Sequence, residues 1–404
     1  MNYFVFVVCG AKEHIDTLNY SLKFVRHFSR YPVLVVTDTR RNDNMIEHDR
    51  IIDIKTPDCF DNHQASIYLK TGLHKFLNLE ENSLYCYLDS DVVAISEDIN
   101  TIFDCFTPPI IFARDHCNFD EFSPHAMNCG CLEDVCRRER EYKPVDMFFR
   151  SRFFAADKLF SDDRIALDKQ FEEIKGLNPV SILKAARYVL LRYFLPVGRF
   201  RFGKYLFDKK ERFWYNTQHE IIHIDYRYYS KKLKRKTGAH YDYNTSRWLN
   251  RNGEDITPSK ALCSHLSEHI AQKYGIEIPG FWRHWNGGVF IFGIQSVGFL
   301  EFWHNTTIDE FNDRKSKTRD QGMLALTVWK YNLQNNPVLT MSYNFITEFR
   351  NENIAYDRER GFTADGFNTV FNPCFLHIYH EWEHKGWSIW DFVEQLNNRI
   401  QKME

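Results

Sequence analysis

Neither sign of charge dominates this 404-residue chain, in which 52 Lys and Arg face 54 Asp and Glu for a net −2. Its surface as a whole is therefore not built to attract nucleic acid or an anionic membrane. No uninterrupted apolar run is long enough to span a bilayer. The amino terminus has neither a basic flank nor a small-residue cleavage site, so no signal peptide is expected. The ten cysteines are scattered, and Cys9 and Cys86 lie inside strand-like segments. Without an export signal they read as free thiols of a reducing cytosol. Internal repeats and low-complexity linkers are also missing. What is present, 44% hydrophobic and 26% charged residues, is ordinary for a globular protein. The length allows one large core or two lobes that share one. Aromatic residues reach 16%, which suits a surface that stacks on sugar rings or simply a thick core.

From residue 3 to about 115 strand and helix patterns alternate. Tyr3–Cys9 is a continuous apolar run stopped by Gly10, and a helical period covers about 15–28. Pro32–Val36, ending in Thr37-Asp38, and Arg50–Ile54 read as strands, Gln64–Leu77 as a helix, and Ile110–Ala113 as a strand closing in Arg114-Asp115. This rhythm implies an α/β fold with a mostly parallel, doubly wound sheet. It returns after about 281, with a strand over Val289–Phe292, a helix over Gly322–Tyr331, a late strand Phe375–Tyr379 and a closing helix Ser388–Gln401. The chain thus divides into 1–115, an irregular or helical insertion over 116–280, and 281–404.

The tripeptide Asp89-Ser90-Asp91 ends an apolar stretch, Ser83–Leu88, and is followed by Val92-Val93-Ala94. In an extended segment residues i and i+2 point the same way, so the two carboxylates would face one side. Two such carboxylates at a strand end make a site for a hard divalent cation, at the edge where open α/β sheets bind ligands. The alternative is a turn that ends one strand and caps the next helix.

Two features of the insertion stand out. His116, Cys117, His125, Cys129, Cys131 and Cys136 form a local group that reads either as a zinc site or as a loop with small thiols. Residues 181–212 carry nine Lys/Arg against Asp208 and Glu211. On a helix Ile182, Ala186, Val189 and Tyr193 form an apolar stripe with Lys184 and Arg187 behind it. Such a segment is an ordinary helix packed on the core with a solvated basic side, or a peripheral contact with an anionic membrane. A basic groove for an anionic acceptor is a third reading.

The order of these pieces resembles the family 8 glycosyltransferases of the GT-A fold, over roughly residues 3–115 and 281–387. The matching motifs are Ala65-Ser66-Ile67-Tyr68-Leu69-Lys70, Tyr87-Leu88-Asp89-Ser90-Asp91-Val92-Val93, Asn286-Gly287-Gly288-Val289, Asp320-Gln321, Tyr343-Asn344 and Leu376-His377-Ile378-Tyr379. The resemblance implies a nucleotide-sugar donor, a UDP-hexose, and an acceptor that is a glycan or a lipid-linked saccharide. It implies Mn2+ or Mg2+ held by Asp89, Asp91 and His377, with His380 as the alternative third ligand. Anomeric configuration would be retained, with Asp320 on the sugar hydroxyls, Gln321 under the anomeric carbon and Asn286 touching sugar or acceptor. Val8, Cys9, Gly10 and Asp38 would line the nucleoside pocket, although Asp38 equally suits a purely structural strand end. Ser90 lies within the donor-binding motif. Lys70 stands where the family carries arginine, which keeps the charge but loses the bidentate fork. Lys385, in His384-Lys385-Gly386-Trp387, resembles the family's Lys-Pro-Trp ending with glycine in place of proline, and would hold phosphate oxygens. The expected place of such a chain is the cytoplasm or the inner face of the membrane.

Two other functions remain on this sequence. A nucleotidyltransferase would need a glycine-rich basic loop after the first strand, and Gly10-Ala11-Lys12-Glu13-His14 offers one glycine and one lysine. A carbohydrate-binding or scaffold protein without catalysis is the other.

Overall fold

In chain order the first elements are β1 (Tyr3–Val7), α1 (Lys12–Phe28), β2 (Val33–Thr37), β3 (Ile51–Asp53), α2 (Asn62–Thr71), α3 (Leu73–Phe76), β4 (Tyr85–Leu88), β5 (Val92–Ala94), β6 (Ile111–Asn118) and α4 (Phe119–Ala126). They come from a computed structural model that describes residues 1–150, 162–242, 244–317, 320–347, 354–364, 369–379 and 382–403. His380, the alternative metal ligand, lies outside the described residues.

Next come α5 (Cys131–Arg150), α6 (Asp162–Glu173), α7 (Pro179–Val189), β7 (Arg199–Phe202), β8 (Tyr205–Asp208), β9 (Phe213–Tyr215), β10 (Ile221–Ile224), α8 (Tyr226–Thr237), β11 (His240–Asp242) and β12 (Arg247–Leu249). The chain closes with α9 (His265–Tyr274), β13 (Arg283–Phe292), α10 (Val297–Glu310), α11 (Asp320–Lys330), β14 (Phe345–Thr347), β15 (Ala355–Asp357), β16 (Gly361–Ala364), β17 (Thr369–Phe371), β18 (Phe375–Ile378) and α12 (Ser388–Ile400).

The chain forms two compact units, Met1–Cys131 with Ala261–Glu404, and Leu132–Lys260. The first is built on a six-stranded sheet in the order β3-β2-β1-β4-β13-β6. Strands β3, β2, β1 and β4 pair in parallel, and β13 runs antiparallel to both β4 and β6. The fold is therefore mixed α/β with a parallel-rich sheet flanked by helices, as the GT-A resemblance implies, and β13 is its one reversed strand. Both faces are covered, which is why β1 and β4 read as unbroken apolar runs. Phe4 and Phe6 join α1 and α12 in one core, whereas Val5 and Val7 join α2, α10 and α11 in the other.

A second sheet, β14-β18-β5, positions the site. After Leu88 the chain does not continue as one extended strand, as the i, i+2 reading of Asp89 and Asp91 supposed. It turns at Ser90-Asp91, closed by Val92 N–H donating to Asp89 O at 3.1 Å. The next three residues, β5, then belong to the other sheet. The helix expected as Gln64–Leu77 is interrupted at Gly72, where an added Cβ would meet Phe76 at 2.7 Å. Strand β6 does not close at Arg114-Asp115 but runs on to Asn118, because β13 begins as early as Arg283 and pairs along it.

The second unit lies inside the expected insertion and is not merely helical or irregular. It carries the four-stranded antiparallel sheet β10-β9-β8-β7 and the hairpin β11-β12. Trp214 and Phe207 fill one side of that sheet together with Tyr188 and Leu191. The apolar stripe of α7 does not pack on this core as one expectation had it. Ile182, Val189 and Tyr193 are exposed, and so are Leu183 and Phe194, at 71% and 73%. A period-3.6 stripe identifies a face but not what that face meets, and here the protein takes the neighbouring side, Tyr188 and Leu191.

Candidate active site

Asp89, Asp91 and His377 come from distant points of the chain, and backbone register brings them together. Strand β18 pairs with β5 so that His377 stands opposite Val92, and Ile378 N–H donates to Asp91 O at 3.0 Å. On the other side Asp89 N–H donates to Gly288 O at 2.8 Å. The ligand atoms of the three side chains lie within 4.8 Å of one another. Gly288 makes this approach feasible, since a Cβ there would fall 2.4 Å from His377 Cε1 and 3.0 Å from Asp89 Oδ2. Gly287 and Gly288 sit in an irregularity of β13, where its register against β6 shifts between Asn286 and Phe290.

A chain of amides fixes the imidazole. The Asp115 carboxylate can only accept, so the Asn286 amide must donate to it, at 2.9 Å. Asn286 Oδ1 then accepts from Gly288 N–H at 2.9 Å and from the Asn344 amide at 3.1 Å. Asn344 Oδ1 is left as an acceptor, so His377 Nδ1, 2.9 Å away, must carry a proton. Nε2, the nitrogen 3.4 Å from Asp91 Oδ1, is the one free to bind a proton or a cation.

Charges accumulate around this point. Burial, the largest single influence, works against the Asp91 carboxylate, but the His377 imidazolium first, then backbone hydrogen bonding and Lys70, together hold it below the ordinary range. Burial likewise opposes charge on His377, and Asp91 together with Asp89 raises its affinity for a proton. Asp89 is pushed up, by burial first, with Lys70 opposing and Asp91 adding to the rise. Lys70 Nζ lies 3.3 Å from Asp89 Oδ1 and 2.9 Å from Asp320 Oδ2. Burial disfavours its charge, but the two carboxylates prevail and keep it protonated. Tyr87, whose ring lies under that ammonium, donates its hydroxyl to Asp89.

The donor set fits a divalent cation. Asp91 Oδ1 is buried and accepts no hydrogen bond, and two carboxylates with one imidazole are a mixed O/N shell suited to Mn2+ or Mg2+.

Asp320 begins α11 and is pinned there by Trp303, whose indole N–H donates to its carbonyl at 3.0 Å. Gln321 accepts from Gly287 N–H at 2.8 Å and reaches Asp115 Oδ2 at 3.3 Å. Lys70, Asp89, Asp91, Asn286, Asp320, Gln321 and His377 therefore form one connected set.

The remaining expected residues lie apart from these contacts. Val8 and Cys9 are buried at the end of β1, where burial pushes the Cys9 thiol up to about 12. Gly10 has a positive φ of 105° and donates to Asn42 Oδ1 at 3.3 Å. Ser90 accepts, through its carbonyl, from Ser21 Oγ at 2.7 Å. Asp38 is fully buried and bonded to Arg40 Nε and to both the N–H and hydroxyl of Thr56. Burial would raise this carboxyl, but the Arg40 bonds lead the effects that bring it down to about 2. Its structural reading accounts for all of these bonds. Lys385 is exposed in the turn before α12.

Sequence reading passed over Asp115, Asn344 as an orienting group, and Tyr87. The signal for Asp115 was alternation, because Ile111 and Ala113 share a core and Asp115 continues their face. Burial would raise this carboxyl, but His116, His284 and the Asn286 amide pull it far below the usual range.

No protein-family model matches the sequence, and no curated protein matches it. Among solved structures the chain is similar to the apo form of the WbbM bifunctional glycosyltransferase, with 10% identity and a TM-score of 0.41 over 99% of this chain and 51% of that one. It thus spans about half the length of that protein. It is also similar to apo mouse xyloside xylosyltransferase 1, with 10% identity and a TM-score of 0.36 over 94% of this chain and 98% of that one. Likenesses of this degree say nothing of substrate or chemistry. Among the described residues no helix is long and apolar enough to cross a membrane.

Proposed function

We propose that this chain is a metal-dependent glycosyltransferase that moves a hexose from a UDP-sugar to a glycan or lipid-linked acceptor, with retention of configuration. The reading rests on one observation above all. Two carboxylates and an oriented imidazole converge at a glycine bulge whose other side carries Lys70, Asp320 and Gln321.

In this reading Asp89, Asp91 and His377 Nε2 hold Mn2+ or Mg2+, which as a Lewis acid stabilises charge on the departing diphosphate. Lys70 bridges Asp89 and Asp320 and fixes the directions of their side chains. Asp320 accepts from hydroxyls of the transferred sugar, and Gln321, held from both ends, sits beneath the anomeric carbon. Asn286 meets sugar or acceptor with its orientation set by Asp115. Val8, Cys9 and Gly10 line the nucleoside pocket beside the buried Asp38, the Ser90 turn borders the phosphates, and Lys385 meets their outer oxygens. The exposed stripe of α7, with Lys184 and Arg187 beside it, supports peripheral contact with an anionic membrane at its cytoplasmic face.

The nucleotidyltransferase reading loses ground, since Lys12, the one lysine expected in its loop, opens α1 and is already paired with Asp16. The test is a screen of nucleotide-sugars with Mn2+, read by mass spectrometry for donor hydrolysis or transfer. UDP-sugar turnover that disappears with EDTA and in Asp91→Asn is expected. Turnover unchanged in both cases would remove the metal from the mechanism, and binding without sugar release would favour the scaffold.

A further inference from the structure

We infer that Cys129, Cys131, Cys263 and His265 form a zinc site that staples the chain where residues 132–260 leave the first unit to where they rejoin it. Cys129 and Cys131 had local company in the sequence, but the structure gives them other partners. Cys136 is exposed along α5, and Cys117 is gathered with His116 around Asp115. Cys129 and Cys131 instead face a Cys-x-His pair more than a hundred residues later.

The four ligand atoms all lie within 4.8 Å of one another. Cys129 Sγ is 3.8 Å from Cys263 Sγ, and Cys131 Sγ is 3.7 Å from His265 Nδ1. A tetrahedral zinc with Zn–S of about 2.3 Å and Zn–N of about 2.0–2.1 Å has S···S edges of about 3.8 Å and S···N edges of about 3.5 Å. A disulfide would need the sulfurs at about 2.05 Å.

Hydrogen bonds that involve no ion hold the two segments together. Ser123 of α4 accepts from Leu266 N–H at 3.0 Å, and Cys263 N–H donates to Asp120 O at 3.1 Å. Three thiolates and an imidazole are a soft set, suited to zinc and unlike the oxygen-rich shell of Asp89 and Asp91. A nearby cluster shows the contrast. His269, Lys273 and Tyr274 all satisfy Glu310 directly, so that group is closed without an ion. Zinc would displace the thiol protons and close a very long loop, the arrangement in which a cross-link restrains the unfolded chain most.

The test is elemental analysis of the full chain, purified in reducing buffer without added metal, together with Co2+ as a spectroscopic probe. Bound zinc at one per chain is expected, lost in Cys263→Ser and in His265→Ala and kept in Cys136→Ser and Asp91→Asn. Co2+ added to stripped wild-type protein should give thiolate charge-transfer and tetrahedral d–d bands. That measurement needs no variant to fold. Zinc-free protein that takes up no Co2+, or a Cys129–Cys263 disulfide found by non-reducing peptide mapping, would overturn the inference.

Discussion

Replacing Gly288 by alanine should take apart the carboxylate–imidazole triad while leaving the fold standing. The new Cβ would fall 2.4 Å from His377 Cε1 and 2.9 Å from Asn286 Oδ1. Carbon–carbon contact is comfortable from about 3.5 Å, so the ring must retreat by roughly 1 Å. It cannot swing aside cheaply, because Asn344 holds Nδ1 and its backbone is paired to Val92. Metal sites tolerate ligand displacements of only about 0.2 Å. Losing a mere supporting contact costs about 10–100-fold in metal affinity, and displacing the ligand itself should cost at least that. Overpacking adds about 1–3 kcal/mol of destabilisation, which should lower Tm without unfolding the protein. Gly287→Ala is the control, since its nearest atoms, Gln321 Oε1 and Lys70 Nζ, lie at 3.3 and 3.4 Å and need give way by only a few tenths of an ångström. Calorimetric Mn2+ titration of both variants, with circular dichroism to check folding, reads the difference. A folded Gly288→Ala protein that binds Mn2+ as tightly as its parent would refute the claim that these side chains share one ion.

Lys70→Met leaves the buried Asp320 and the half-buried Asp89 without their shared cation, and should destabilise the protein in denaturant unfolding by less than the about 3–5 kcal/mol of a fully buried broken pair. Mn2+ should stabilise that variant more than the wild type, and an unchanged unfolding curve would deny Lys70 this role. Mn2+ binding should weaken as pH falls through the raised His377 value, because the imidazolium proton and the ion compete for Nε2. The expected slope is about tenfold per pH unit for the one proton displaced, and a flat profile by titration calorimetry would exclude His377 as a ligand. Asp115→Asn lets the amide at 115 donate as well as accept, so the polarity of the chain reaching His377 is no longer imposed. Mn2+ affinity should drop about 10–100-fold in calorimetry, and Asp115→Glu should restore part of it. Leu183→Glu with Phe194→Glu should abolish flotation with anionic phospholipid vesicles, and wild-type protein that ignores such vesicles at low salt ends the membrane reading.

The sheet was legible because its strands are buried on both faces, so Tyr3–Val7 and Tyr85–Leu88 stand out as apolar runs ended by Gly10 and Asp89. Lys70, Asp320, Gln321 and His377 stand out only through the resemblance of their short motifs to those of a known family, since common residue types carry no physical signal of their own. Long-range register was not legible. Nothing local says that β18 will lie against β5, nor that Cys263 returns to Cys129. Asp115 is not legible as a site residue, because Arg114-Asp115 reads as a strand end until the pairing with β13 extends the strand. The stripe of α7 was legible as a stripe, but hydrophobic periodicity carries no information on whether a face meets protein or solvent.

The nearness of Cys129 to Cys263 bears on how this architecture can be taken apart. A detour that departs and returns at almost the same point can be excised and bridged by a few residues without redirecting any strand of the six-stranded sheet. Such a trimmed chain would keep every group of the carboxylate–imidazole centre. The detour is thus a module in the literal sense, with both of its ends fixed inside one compact unit.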